Sequence, residues 1–121
     1  MSRQLFAAMF VIAGFIAFPN FAAAHAKILG TDPAKDAVLT APPKAVNLMF
    51  AKALEPKFSA IHVIDASGKQ VDTANTTIKG DGHNEMSVEL PTLPAGVYKV
   101  MWNIVSLDGH KMKGDYTFTI K

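Results

Sequence analysis

Beyond the first two dozen residues, the apolar positions of this chain recur in twos. Val46, Leu48 and Phe50 alternate with Asn47 and Met49; Ile61 and Val63 flank His62; Met86, Val88 and Leu90 alternate with Ser87 and Glu89. Each run has one apolar and one mixed face, which is the period of a half-buried strand and not of a helix. The strongest segment extends from Gly96 to Ser106, where Tyr98, Val100, Trp102 and Ile104 share a face, and Tyr116, Phe118 and Ile120 answer it near the carboxyl end. These two segments are predicted to be central strands. Breakers separate the runs at Asp32-Pro33, Pro42-Pro43, Ser67-Gly68, Lys79-Gly80-Asp81-Gly82 and Pro91 to Gly96. The pattern predicts an all-β domain of about seven strands, a sandwich or a barrel. No internal repeat, low-complexity tract or linker marks a second domain.

The amino-terminal segment follows a different pattern. Arg3 precedes an apolar run from Leu5 to Phe18, and the small residues Ala22-Ala23-Ala24 follow. That is the layout of a secretory signal peptide, with the favoured cut between Ala24 and His25. Cuts one or two residues earlier fit the same pattern. The run is too short for a membrane span, which needs roughly 20 apolar residues. Residues 1–24 are therefore expected to be removed, leaving residues 25–121 as one exported domain with His25 at its amino terminus.

Composition narrows the chemistry. Five of the eight Phe residues, Phe6, Phe10, Phe15, Phe18 and Phe21, lie in the leader, so the mature core must be mainly aliphatic. Without Arg3, 11 basic residues stand against 10 acidic ones, a near-neutral balance with no clustered basic face for nucleic acid or an anionic membrane. The chain has no Cys, which excludes disulfides, thiolate metal sites and thiol catalysis.

An amino-terminal His is an unusual residue, because its free α-amine and ring Nδ1 can close a chelate on one metal ion. Both groups lose their protons near neutral pH at modest cost. Asp108 and His110 stand at i and i+2, so an extended or gently turning segment points both side chains the same way, and Gly109 relaxes the backbone between them. Two imidazoles, an amine and a carboxylate form a nitrogen and oxygen set that suits Cu(II) better than Cu(I). Either feature alone is weak, since Asp-x-His is common in solvated turns. Together, in an exported Cys-free β domain, they make His25, Asp108 and His110 the candidate ligands for one Cu(II) ion per chain.

The order of these residues carries a family resemblance. His25-Ala26-Lys27, Thr31-Asp32-Pro33-Ala34, Val46-Asn47-Leu48-Met49-Phe50 and Glu55-Pro56-Lys57-Phe58-Ser59 are followed by Gly96-Val97-Tyr98, Trp102, Ser106-Leu107-Asp108-Gly109-His110 and Gly114. This resembles the periplasmic copper-resistance family called CopC, over essentially the whole mature chain. The resemblance implies a Greek-key β-barrel or sandwich related to immunoglobulin-like and cupredoxin folds. It further implies periplasmic copper binding without catalysis, with His25, Asp108 and His110 at the ligand positions, and a membrane copper transporter of the CopD type as partner. A monomer is expected.

Two departures from the family pattern bear on the site. The Met-dense loop that serves a separate Cu(I) site in some members is missing: Met49, Met86, Met101 and Met112 are scattered, Met86 reads as core filler, and Met112 is a soft neighbour for the copper. Lys52 stands in Phe50-Ala51-Lys52 where many members read Phe-Ser-Glu. A lysine near the metal would weaken binding by repulsion unless an acid such as Glu55 compensates. His62 and His83 read as a structural side chain and an exposed turn residue. Two other functions are open. One is a copper oxidase acting on a polysaccharide through an amino-terminal histidine brace, which has few aromatics to spare for a polymer surface; the other is a metal-free sandwich serving as an interaction module.

Overall fold

The computed structural model describes residues 27–121; the leader and His25 lie outside them. Eight strands occur among the described residues: β1 (Ile28–Asp32), β2 (Val38–Leu39), β3 (Ala45–Phe50), β4 (Ala60–Ile64), β5 (Thr77–Lys79), β6 (Glu85–Glu89), β7 (Gly96–Val105) and β8 (Lys111–Ile120). They form two four-stranded sheets, ordered β1-β3-β6-β5 and β2-β8-β7-β4. The all-β expectation is met, and of the two architectures it left open the chain adopts a sandwich. Eight strands stand against the about seven expected; no apolar run marked β1, β2 or β5, and the two and three residues of β2 and β5 are too few to show a period. All pairings are antiparallel except that of β2 with β8.

The alternation sorts side chains as the sequence implies. Val46, Leu48 and Phe50 of β3, Ile61 and Val63 of β4, Met86 and Val88 of β6, and the even positions 98–104 and 116–120 of β7 and β8 are all buried in one core. Burying each such aliphatic or Phe side chain stabilises the fold by roughly 1.5–3 kcal/mol before entropy is counted. The two sheets meet where the Phe50 ring packs edge-on against the Trp102 indole, with centroids 5.2 Å apart and planes at 69°. At the far end of β7, the Tyr98 ring stacks on Phe118 at 5.6 Å while its hydroxyl donates to the Pro94 carbonyl at 2.6 Å. That hydrogen bond satisfies a polar group whose body is buried.

The longest element is the β7–β8 hairpin, which stays in register from Gly96 opposite Ile120 to Val105 opposite Lys111. Its tip is residues 106–110. The loop after β3, residues 51–55, lies against this tip and is tied by backbone hydrogen bonds on several sides. Leu107 N–H donates to the Ala53 carbonyl at 3.0 Å, Glu55 N–H to Val105 at 2.7 Å, Leu54 N–H to His83 at 2.9 Å and Ala51 N–H to Lys27 at 2.8 Å. Four segments distant in sequence therefore converge on one end of the sandwich: the start of β1, the 51–55 loop, the turn before β6 and the hairpin tip. The buried Leu54 side chain anchors that end to the core.

Candidate metal centre

The hairpin tip brings Asp108 and His110 together. Gly109 N–H donates to the Ser106 carbonyl at 2.8 Å, and Ser106 N–H donates to the His110 carbonyl at 2.9 Å. Gly109 has φ +88°. A three-residue hairpin loop whose last residue adopts the left-handed conformation is a common way to close such a hairpin, and glycine takes that conformation without steric cost. The segment is thus a tight turn, sharper than the extended or gently turning stretch that i, i+2 spacing suggested. The outcome is the same, because the turn returns His110 to the side of Asp108: the imidazole Nδ1 lies 3.1 Å from carboxylate Oδ1.

Ser106, the first residue of the Ser106-Leu107-Asp108-Gly109-His110 run, organises this turn. It is buried, and its hydroxyl meets the Asp108 Oδ1, accepts from His110 N–H at 3.2 Å and lies 3.3 Å from the His110 carbonyl. A hydroxyl has one proton to give. The ionised carboxylate is the stronger acceptor, so the proton goes to Asp108 and the lone pairs serve the His110 amide.

Lys52 completes the arrangement. Its Nζ lies 2.7 Å from Asp108 Oδ2, linking the 51–55 loop to the tip, with both side chains about two-fifths exposed. The Lys52 ammonium, then the Ser106 hydroxyl and the charge of His110, hold the Asp108 carboxyl well below the usual carboxylate range, against a smaller opposing effect of desolvation. Asp108 is therefore an anion throughout the physiological range, ready to act as a ligand without losing a proton.

The two donors fit a metal ion. Metal–nitrogen and metal–oxygen bonds of roughly 2.0–2.2 Å put neighbouring donors at right angles roughly 2.8–3.1 Å apart, close to the observed separation of Asp108 and His110. Among the described residues no third His, Asp or Glu joins them in a metal-binding group. Asp108 and His110 are thus two of the three candidate residues brought side by side, and the third, His25, lies outside the described residues. The other residues weighed from the sequence fall elsewhere. Met86 is fully buried, and Met112 packs against the core beside Ile104 instead of lying open at the tip. His62 points outward from β4, where its Nδ1 meets Gln70 Nε2 at 3.2 Å. His83 is an exposed turn residue at φ +51° whose carbonyl supports the 51–55 loop.

The CopC domain family matches residues 28–121. The copper transport protein CutJ of Bacillus subtilis is 39% identical over 108 residues, covering 88% of this chain; the chain spans only 20% of that longer protein. Copper resistance protein C of Escherichia coli is 32% identical over 107 residues, covering 83% of this chain and 84% of its own length. The crystal structure of CopC from Methylosinus trichosporium OB3b superimposes with a TM-score of 0.75 at 32% identity, covering 80% of this chain and 94% of that one. With a family match across the whole described domain and relatives above 30% identity over most of its length, this chain belongs to the CopC family of copper-resistance proteins.

Proposed function

We propose that the mature protein is a periplasmic Cu(II)-binding protein that holds one copper ion per chain and sequesters it or passes it to a membrane transporter. Its family is one of copper-binding proteins and not of enzymes. The ligands in this reading are the α-amine and imidazole of His25, the Asp108 carboxylate and the His110 imidazole. The observation that carries it is the convergence of Asp108 and His110 at the hairpin tip.

The position of Lys27 supports the rest. Its carbonyl is bound to Ala51, next to Lys52, which pairs with Asp108. The described chain therefore begins at the same end of the sandwich as Asp108 and His110, as this reading requires. Cleavage after Ala24 would then create the amine ligand, and export would be a step in assembling the site. Transfer to a partner of the CopD type is supported by CutJ, a copper transport protein in which the matching region is a fifth of the length. The protein acts as a monomer in this reading.

The test is Cu(II) titration with electron paramagnetic resonance on protein beginning at His25, against protein with one extra residue before it. The extra residue should abolish the six-membered chelate ring closed by the amine and Nδ1 and weaken binding sharply. Equal affinity in both forms would remove the chelate from the site.

A further inference from the structure

The pairing of Lys52 with Asp108 bears on how copper would enter and leave. Both carboxylate oxygens are engaged: Oδ2 by the Lys52 ammonium at 2.7 Å, Oδ1 by Ser106 and His110. A dication bound through Asp108 draws on the same carboxylate charge and repels a neighbouring cation, so the partner set by charge against it is the Lys52 ammonium. Ser106 is buried and fixed into the turn by its own backbone and by the His110 amide, so it cannot withdraw without dismantling the tip. Lys52 sits on a flexible four-carbon stem with its side chain 41% exposed, and its ammonium is readily rehydrated. Of the three, Lys52 is the group that yields.

Resting on the copper site proposed above, we propose that Lys52 is a resident competitor for the metal. Its ammonium stands in for the ion on Asp108 in the empty protein, is displaced when Cu(II) binds, and returns as the ion leaves. Three consequences follow from charge and geometry. The site is pre-aimed, because the ammonium keeps the carboxylate oriented. Affinity is lowered, because an ion pair is given up and a monocation is left near a dication. Release is assisted, because the vacated carboxylate has a counter-ion within reach of its own chain. These properties suit a protein that gives copper up more than one that locks it away.

The experiment is competition titration of Cu(II) against a chelator of known affinity, using protein beginning at His25. The parent is compared with Lys52→Gln, Lys52→Glu and Lys99→Gln; the last removes an equal charge on β7 far from the tip. Loss of one exposed ion pair and of one nearby cation predicts about tenfold tighter binding for Lys52→Gln. Lys52→Glu should bind more tightly still, and Lys99→Gln as the parent does. Independently, acylation of the Lys52 amine, followed by mass spectrometry in the parent, should run several-fold faster in the copper-loaded protein than in the empty one. An affinity unchanged or weakened in Lys52→Gln overturns the inference, as does an amine whose reactivity ignores the metal. A parent that binds no Cu(II) at all overturns the site itself, and this inference with it.

Discussion

The indole of Trp102 lies directly across the backbone of Gly114, its cross-strand partner in the β7–β8 hairpin. A Cβ at position 114 would fall 2.8 Å from the indole Cε2 and nearer still to Cζ2. The ring cannot easily retreat, because the Phe50 edge packs against it from the opposite sheet. Gly114→Ala should therefore cost about 1–3 kcal/mol, the usual range for overpacking a filled core. Urea unfolding followed by Trp102 fluorescence measures it, and a variant as stable as the parent would mean that the indole has room to shift.

Ser106→Ala tests the turn. It removes the buried hydroxyl that accepts from the His110 amide, which should destabilise the protein by about 0.5–1.5 kcal/mol, while the part-exposed Asp108 keeps Lys52. If Asp108 is a ligand as proposed, Ser106 would orient it without touching the metal, and Cu(II) affinity should fall about 10- to 100-fold. Ser106→Thr keeps the hydroxyl and should recover most of the affinity. Calorimetric titration of the two variants separates the hydroxyl's role from that of the buried volume.

The three histidines of the described residues should divide cleanly. His110→Ala should weaken Cu(II) binding by more than about 100-fold, beyond the usual loss from a supporting residue. His62→Ala and His83→Ala should leave affinity unchanged, since His62 faces outward from β4 and His83 contributes its backbone carbonyl to the 51–55 loop. Paramagnetic resonance spectra of the three variants report the same division through nitrogen hyperfine structure.

Asp65 supplies a dependence on pH away from the metal. Its Oδ1 accepts from the Ser67 hydroxyl at 2.6 Å, the Ser67 amide at 2.9 Å and the Lys69 amide at 3.0 Å, fixing the turn after β4. The Ser67 hydroxyl and then the Lys69 amide lower its pKa. A carboxyl whose folded pKa lies below its unfolded value stabilises fully above the unfolded value, near 3.9, and loses that contribution as pH falls through the folded one. Asp65→Ala should thus melt at lower temperature than the parent from neutral pH down to about pH 4, and the gap should close only below that. Melting curves at stepped pH provide the check.

Much of this architecture was legible in the alternation of residues. Tyr98, Val100, Trp102 and Ile104 announced β7, and the same period picked out β3, β4, β6 and β8, because one buried face imposes a period of two. β2 and β5 were not legible, being held by pairing with β8 and β6 over too few residues to leave a pattern. At the site, Asp108 and His110 stood out by residue type, while the tight turn joining them depends on Gly109 adopting a positive φ. Ser106 passed as an ordinary loop residue, although a serine that bonds neighbouring backbone is a recurrent turn-forming device. Lys52 was flagged as an electrostatic liability near the metal; its direct bond to Asp108 joins loops 56 residues apart, a contact that depends on the tertiary fold.

The register of the β7–β8 hairpin also has a practical side. Trp102 is the sole tryptophan of the chain, and it sits on the strand that leads into the tip, four residues before Ser106. At the rise of a strand that is roughly 13 Å of backbone. Nature has thus set a single fluorophore on the same rigid arm as the candidate copper ligands. A paramagnetic ion at the tip would quench it, and filling and emptying could be followed optically in the unmodified protein, without a dye or a tag.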